Sequence, residues 1–438
     1  MALPVAAIVG RPNVGKSTLF NKLIGQRLSI VKDTPGVTRD RIYAKCEWCS
    51  KEFMLVDTGG IEPETDDIIL SQMKRQAELA IQKADVIIFV TDLRSGVTAS
   101  DAEVASMLRK SGKPIVLCVN KCDSVGEPPI EIYDFYSLGV GDPIAVSSVH
   151  GHGTGDLLDE VFAKFPEDAG KDDYSDEYIK VAVIGKSSLI NRIAGEERAI
   201  VSDIAGTTRD ATDTIVEYGE DKFVFIDTAG IRKKSKVLEE IEKYSVLRAY
   251  MAVDRADVCV IVIDAEVGFT EQDSKVAGYA HEQGKGCIVA VNKWDIIDKD
   301  SSTMDKYRKE LEEKFSFMSY VPFAFISAKT GQRVEKLYEL IKYVNEQNSM
   351  RLSTGTLNDV LAYATSRVQP PSDKGKRLKI YYMTQPSTKP PTFVTFVNKA
   401  ELFHFSYQRY LENQIRQTFG LEGTPVRFIV RERGENDK

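Results

Sequence analysis

The residues best suited to chemistry are Gly10-Arg11-Pro12-Asn13-Val14-Gly15-Lys16-Ser17, directly after the apolar run Val5–Val9. Two glycines with four residues between them, then Lys-Ser at the exit of a strand, make a phosphate-binding loop in its required context. Consecutive backbone N–H groups in such a loop cradle a polyphosphate, and the following helix adds its positive pole. Gly10 and Gly15 allow backbone angles and close approaches that a Cβ forbids. Lys16 is placed to reach the β- and γ-phosphates, and the Ser17 hydroxyl to bind Mg²⁺.

Four further segments make the loop part of a GTP/GDP site. Asp57 closes the apolar run 53–56 and is placed on the magnesium side, within Asp57-Thr58-Gly59-Gly60-Ile61. Gly60 can offer its N–H to a γ-phosphate, and Thr38 lies in a short polar loop able to close over metal and phosphate as a switch. Asn120-Lys121-Cys122-Asp123 follows a buried strand, and Ser147 begins a polar turn that can finish the base pocket. The Asp123 carboxylate can accept from both N–H donors on the guanine edge, while Lys121 packs against the base. Adenine lacks that donor pair and would leave a buried carboxylate unpaired, at a cost of ~1–3 kcal/mol.

The same segments return about 170 positions later: Asp227-Thr228-Ala229-Gly230-Ile231, then Asn292-Lys293-Trp294-Asp295, then Ser327-Ala328-Lys329. The phosphate loop does not return intact. Gly185 is followed at once by Lys186-Ser187, about five residues short of the full pattern. Base selectivity without a cradle gives little affinity, because the phosphates supply much of the charge-assisted bonding. Weak or absent nucleotide binding is therefore expected at the second site. Three accounts of the gap stand: a pseudo-GTPase domain, a defective sequence, or a segment missing from a longer parent. The preserved remainder favours a recent or artificial loss.

These residues need elements to hold them. Apolar β-rich runs at 86–90, 115–119, 258–263 and 287–291 alternate with helical patterns such as 101–110. That alternation places the chain in the α/β class, as two tandem P-loop domains, each a mostly parallel sheet with helices on both faces. After residue 345 the rhythm changes to helix 356–366, strands 378–384 and 393–397, helix 407–419 and strand 425–430, a C-terminal α+β domain. The expected division is a first GTPase domain at 1–165, an acidic linker at 166–177, a second GTPase domain at 178–348 and the α+β domain at 349–438.

The 438 residues carry a formal net charge of -7. Residues 351–438 alone hold about six excess positive charges, so a basic tail domain that meets a polyanion follows an acidic body. Basic residues at 374–377 and 427–433 lie beside Tyr381, Tyr382, Phe393 and Phe396, a pattern suited to RNA. No apolar stretch approaches the ~18 residues that span a bilayer, and no DNA or membrane partner is expected. Cys118, Cys122, Cys259 and Cys287 read as core residues of a reducing cytoplasm. Cys46-Glu47-Trp48-Cys49 reads as a hairpin turn, not a metal site, and His150 and His152 read as loop residues.

Two such nucleotide-binding cores in tandem, followed by a small α+β domain, resemble the double-Era-like GTPase family, EngA/Der. The resemblance spans nearly the whole chain. It implies a bacterial GTPase of large ribosomal subunit assembly, acting as a cytoplasmic monomer with a KH-like third domain that meets the subunit precursor and its RNA. Many GTPases place a glutamine after Asp-x-x-Gly to orient the attacking water; Ile61 and Ile231 stand there. The resemblance implies that Asn13 helps hold K⁺ beside the phosphates, supplying charge where an arginine would otherwise act. The catalytic set expected is Lys16, Ser17, Thr38, Asp57, Gly60 and Asn13, with Ser17, Thr38, Asp57 and Asn13 on the cations. The competing reading is a nucleotide-stabilised RNA-binding scaffold with incidental hydrolysis. A tRNA-modifying GTPase lacks a modification domain here, and a membrane-remodelling one lacks an anchor.

Overall fold

The computed structural model describes residues 3–25, 43–58, 81, 84–124, 129–167, 169, 174, 177–185, 188–193, 199–202, 213–226, 241–297, 302–373 and 376–433. The chain separates into two compact units that divide at residues 172–173.

The first unit is built on a six-stranded sheet of β1 (Val5–Val9), β2 (Tyr43–Trp48), β3 (Lys51–Asp57), β4 (Val86–Asp92), β5 (Ile115–Asn120) and β6 (Pro143–Ala145). The order is β2-β3-β1-β4-β5-β6, and every pair is parallel except β2 with β3. All seven residues of β4 and all six of β5 are buried. Near-continuous apolar runs of this kind suit parallel strands covered on both faces. The helices Lys16–Gly25 and Thr154–Lys164 supply Leu19, Phe20, Leu157 and Val161 to that core. The helix expected at 101–110 is Ala99–Lys110, started by a capping box in which Thr98 and Asp101 cap each other's backbone N–H. Cys49 and Ser50, both with positive φ, turn β2 into β3, so the Cys-x-x-Cys segment is the expected hairpin. Cys46 is buried, and its thiol is pushed up to about 12 by desolvation.

The second unit repeats this plan with one more strand: β7 (Tyr178–Gly185), β8 (Ala199–Ser202), β9 (Thr214–Tyr218), β10 (Asp221–Ile226), β11 (Val258–Asp264), β12 (Gly286–Asn292) and β13 (Phe323–Phe325). Their order is β13-β12-β11-β7-β10-β9-β8. Against it lies the expected helix–strand–strand–helix–strand module, its main elements being the helix Thr354–Arg367, β16 (Ile380–Ser387), β17 (Thr392–Val397), the helix Phe405–Phe419 and β18 (Arg427–Glu432). Between the first helix and β16, in a stretch that reads as linker, two-residue strands β14 (Ser372–Asp373) and β15 (Lys376–Arg377) pair. The helices contribute Leu357, Leu361, Leu411 and Ile415 to a core shared with Met383, Phe393 and Val397. Phe393 is therefore a core residue, not part of an RNA-facing surface. Alternation along β17 turns it inward, while Phe396 takes the other face.

The module joins its neighbouring sheet by main-chain bonds. Gly423 O accepts from Cys287 N at 2.7 Å, and Gly423 N donates to Tyr320 O at 2.7 Å. Leu421 N donates to Gln347 Oε1 at 2.8 Å. The Arg416 guanidinium lies 4.7 Å over the Tyr320 ring, whose hydroxyl meets His281 Nδ1 at 2.7 Å. No described helix is long and apolar enough to cross a membrane.

Candidate functional site

The carboxyl ends of β1, β3, β4 and β5 converge on one rim of the first sheet, where open α/β folds place ligands. β1 runs into the loop Gly10–Gly15. A Cβ on Gly10 would collide with the Val90 carbonyl oxygen, and one on Gly15 with Asn120 Nδ2. Gly15 has φ +94 and Asn13 has φ 63, so the loop closes through left-handed backbone that turns N–H groups to its concave side. Lys16 opens the helix and is buried; its Nζ donates to Gly10 O at 2.9 Å and Arg11 O at 2.8 Å. Burial holds this ammonium below its ordinary range, against the opposing pull of Asp57. Ser17 is exposed at the helix start, and Asp57 is fully buried at the end of β3. Pro12 is exposed on the loop. Thr58 donates through its hydroxyl to Ile8 O at 2.7 Å, tying that turn to β1.

The base side is stitched to this loop. Asn120 Nδ2 donates to Val14 O at 2.8 Å, while its Oδ1 accepts from Ser148 N at 3.0 Å. Lys121 has φ 67, a left-handed conformation that non-glycine residues adopt at sites where the surroundings enforce it. Its ammonium bridges Asn13 O at 2.9 Å and Asp92 Oδ2 at 2.6 Å. Asp123 accepts from Ser147 Oγ at 2.6 Å and from Arg94 Nη2 at 2.6 Å. The Ser147 bond, then Arg94, hold its carboxyl below the usual range. Cys122 N donates to Val146 O at 3.0 Å, so this residue serves through its backbone.

Asp92, Arg94 and Asp101 belong to this constellation and were not expected from the sequence. Arg11 pairs with Asp101 at 3.2 Å and also donates to Ser95. The repeat carried a signal for Asp92: an aspartate ends the corresponding strands β4 and β11 in both copies, here and at Asp264.

In the second copy the base side is rebuilt. Lys293 again has a positive φ of 62, and its ammonium meets Asp264 at 2.8 Å and Glu266 at 3.1 Å. Asn292 Oδ1 accepts from Ala328 N at 2.9 Å, and Trp294 N donates to Ile326 O at 3.0 Å. Ser327 is fully buried and its Oγ accepts from Thr330 N at 3.1 Å. Asp295 follows Trp294 on the same rim, partly buried. Gly185 ends β7 with φ +119, and a Cβ there would collide with the Val262 carbonyl oxygen, as at Gly10. Only residues 186–187 then separate β7 from the helix Ser188–Ile193. Thr38, Gly59, Gly60, Ile61, Lys186, Ser187, Asp227, Thr228, Ala229, Gly230 and Ile231 lie outside the described residues.

A family described as "50S ribosome-binding GTPase" matches residues 5–121 and 183–293. A second, "KH-domain-like of EngA bacterial GTPase enzymes, C-terminal", matches residues 351–431. Proteins named GTPase Der from Acetivibrio thermocellus and Ruminiclostridium cellulolyticum are 63% and 64% identical to the chain, with 99% of each partner covered in both alignments. Among solved structures, a variant of Aquifex aeolicus Era bound to GDP.AlF4- is 23% identical, with 58% of this chain and 91% of that one covered. Its TM-score is 0.32, too low to bear on the site.

Proposed function

The chain belongs to the GTPase Der family and is a GTPase, and from that premise we propose that its first domain uses nucleotide state to control engagement with a large ribosomal subunit precursor. The observation that carries the reading is the stitching of Asn120 to Val14 and of Lys121 to Asn13. Base recognition and phosphate grip then share one framework. The proposed division is 1–165, 166–177, 178–348 and 349–438, with the last domain meeting ribosomal RNA, in a cytoplasmic monomer.

In this reading Lys16 exchanges its two loop carbonyls for the β- and γ-phosphate oxygens, and the loop N–H groups and helix N-terminus hold the remainder. A low-dielectric setting strengthens that exchange, because a desolvated ammonium interacts more strongly with an anion. Asp123 turns its carboxylate to the guanine edge, with Ser147 keeping it charged. Ser17, Asp57 and Thr38 offer the hard oxygen donors that would hold Mg²⁺, which would supply positive charge beside the phosphates. Asn13 is the proposed contributor to K⁺. The Ile61 side chain can neither donate to nor accept from water, so the hydrolytic step relies on Lys16 and on backbone donors such as Gly60.

The test is co-sedimentation of the full chain with large ribosomal subunits in the presence of GDP or a non-hydrolysable GTP analogue. Binding that depends on nucleotide supports the reading; equal binding with either, or none, refutes it. Turnover in KCl and NaCl at matched ionic strength tests the cation assignment, and equal rates would remove it.

A further inference from the structure

One face of the C-terminal sheet carries side chains that its core does not use. The register of β16, β17 and β18 sets Tyr382, Phe396 and Arg431 opposite one another in a row. Phe393 and Val397 point into the core beneath the two helices, so Phe396 stands on the opposite face. The rings of Tyr382 and Phe396 stack with centroids 4.4 Å apart and planes 15° from parallel. A register shift between Ile380 and Tyr382 sets Tyr381 outside the ladder, and the Arg433 guanidinium lies 5.4 Å over its ring. Tyr381 is 45% exposed and Tyr382 36%. Among the described residues, the face is closed where β17 begins. There Arg427 donates to Glu282 O at 2.7 Å, and Pro390 packs so closely on Gly284 that a Cβ would collide.

We propose that the open end of this face binds single-stranded RNA, with unpaired bases stacking on Tyr382–Phe396 and Tyr381 while Arg431 and Arg433 neutralise the backbone. The inference rests on the RNA reading above and names the surface and the mode. Flat rings accept any base through its π-face, and guanidinium groups serve both phosphate and ring. A protein partner would be better met by an apolar centre depleted of charge. The excess positive charge of residues 351–438 favours a polyanion held on the sheet. If the aromatic pair served packing alone, it would contribute only cross-strand contact within the domain.

The experiment is fluorescence anisotropy of the full chain with a labelled, unstructured, uridine-rich RNA, and with a duplex DNA of equal charge as comparator. Tyr382→Ala is expected to weaken RNA binding by about 5-fold to 100-fold, the loss of one base–ring stack. Tyr382→Trp is expected to hold the wild-type affinity. Arg431→Gln should weaken binding less and lower the salt dependence by about one phosphate contact. Should Tyr382→Ala prove unstable on melting, the Trp and Gln variants decide. Wild-type binding that all three variants retain overturns the assigned face and leaves the RNA reading intact. Equal losses on duplex DNA overturn stacking in favour of charge alone. No RNA binding by the wild-type chain overturns both.

Discussion

The two GTPase lobes share a base-reading rim and differ in the loop beside it. In the first, the Lys121 ammonium joins Asp92 to the carbonyl of Asn13, a residue of the phosphate loop. In the second, Lys293 joins Asp264 to Glu266, and Lys186 follows Gly185 directly in the sequence, so no residue takes Asn13's place. Both lysines keep a left-handed backbone, and both following residues donate to the carbonyl of the residue just before the serine. The base rim is thus set by strand ends and survives alone. What the loop adds is a hydrogen-bonded link from Asn120 and Lys121 to Val14 and Asn13. The second lobe, short of that link, is instead joined by main-chain bonds to the C-terminal domain.

The most damaging change to the first lobe is Lys16→Ala, expected to lower GTP turnover by about 100-fold or more, because the phosphate charge loses its buried cation. Phosphate release under saturating GTP measures it, and turnover within a few-fold of wild type would break the comparison by moving catalysis elsewhere. Grafting Arg-Pro-Asn-Val-Gly between Gly185 and Lys186 should sharpen the contrast from the other side. It restores the spacing of the first loop and is expected to create a second nucleotide site, read by fluorescent GDP binding in a Lys16→Ala background. Continued absence of a second site would mean that the rim is also defective.

Smaller effects should follow at the base. Asp123→Asn is expected to reduce the preference for GTP over ATP by about 10-fold to 100-fold, whereas Asp295→Asn should leave it unchanged in competition binding. Equal losses would place the operative pocket in both lobes. The smallest effect concerns the joint of the second lobe. Burial, then Arg416 and Arg427, hold His281 below its ordinary 6.5 while it meets Tyr320. The folded chain therefore keeps this ring neutral, and the unfolded chain binds a proton below that value. Its contribution is present above 6.5 and lost as pH falls through the lowered folded value. The thermal midpoint should drop between about pH 7 and about pH 5, and drop less in His281→Gln. Parallel pH curves would contradict this.

Much of the first site was legible because its motifs are short, contiguous and tied to strand ends. Gly10 and Gly15 announced close contacts, and the structure identifies them as Val90 O and Asn120. Partners distant in sequence were harder to read. Arg94 reaches Asp123 across 29 positions, and Gly423 reaches Cys287 from another domain. Nothing local in either segment encodes those pairings. The outward and inward aromatics of the last sheet could have been separated by parity along β17, where Phe393 and Phe396 differ by three positions. The shift at Ile380/Tyr382 defeats the same count in β16.

Isothermal titration of the purified full chain with a non-hydrolysable GTP analogue in Mg²⁺ tests the dependence on the loop most directly. One tight site per chain, lost in Lys16→Ala, is the predicted result. Two tight sites of similar affinity, or a single site that persists in that variant, would contradict it.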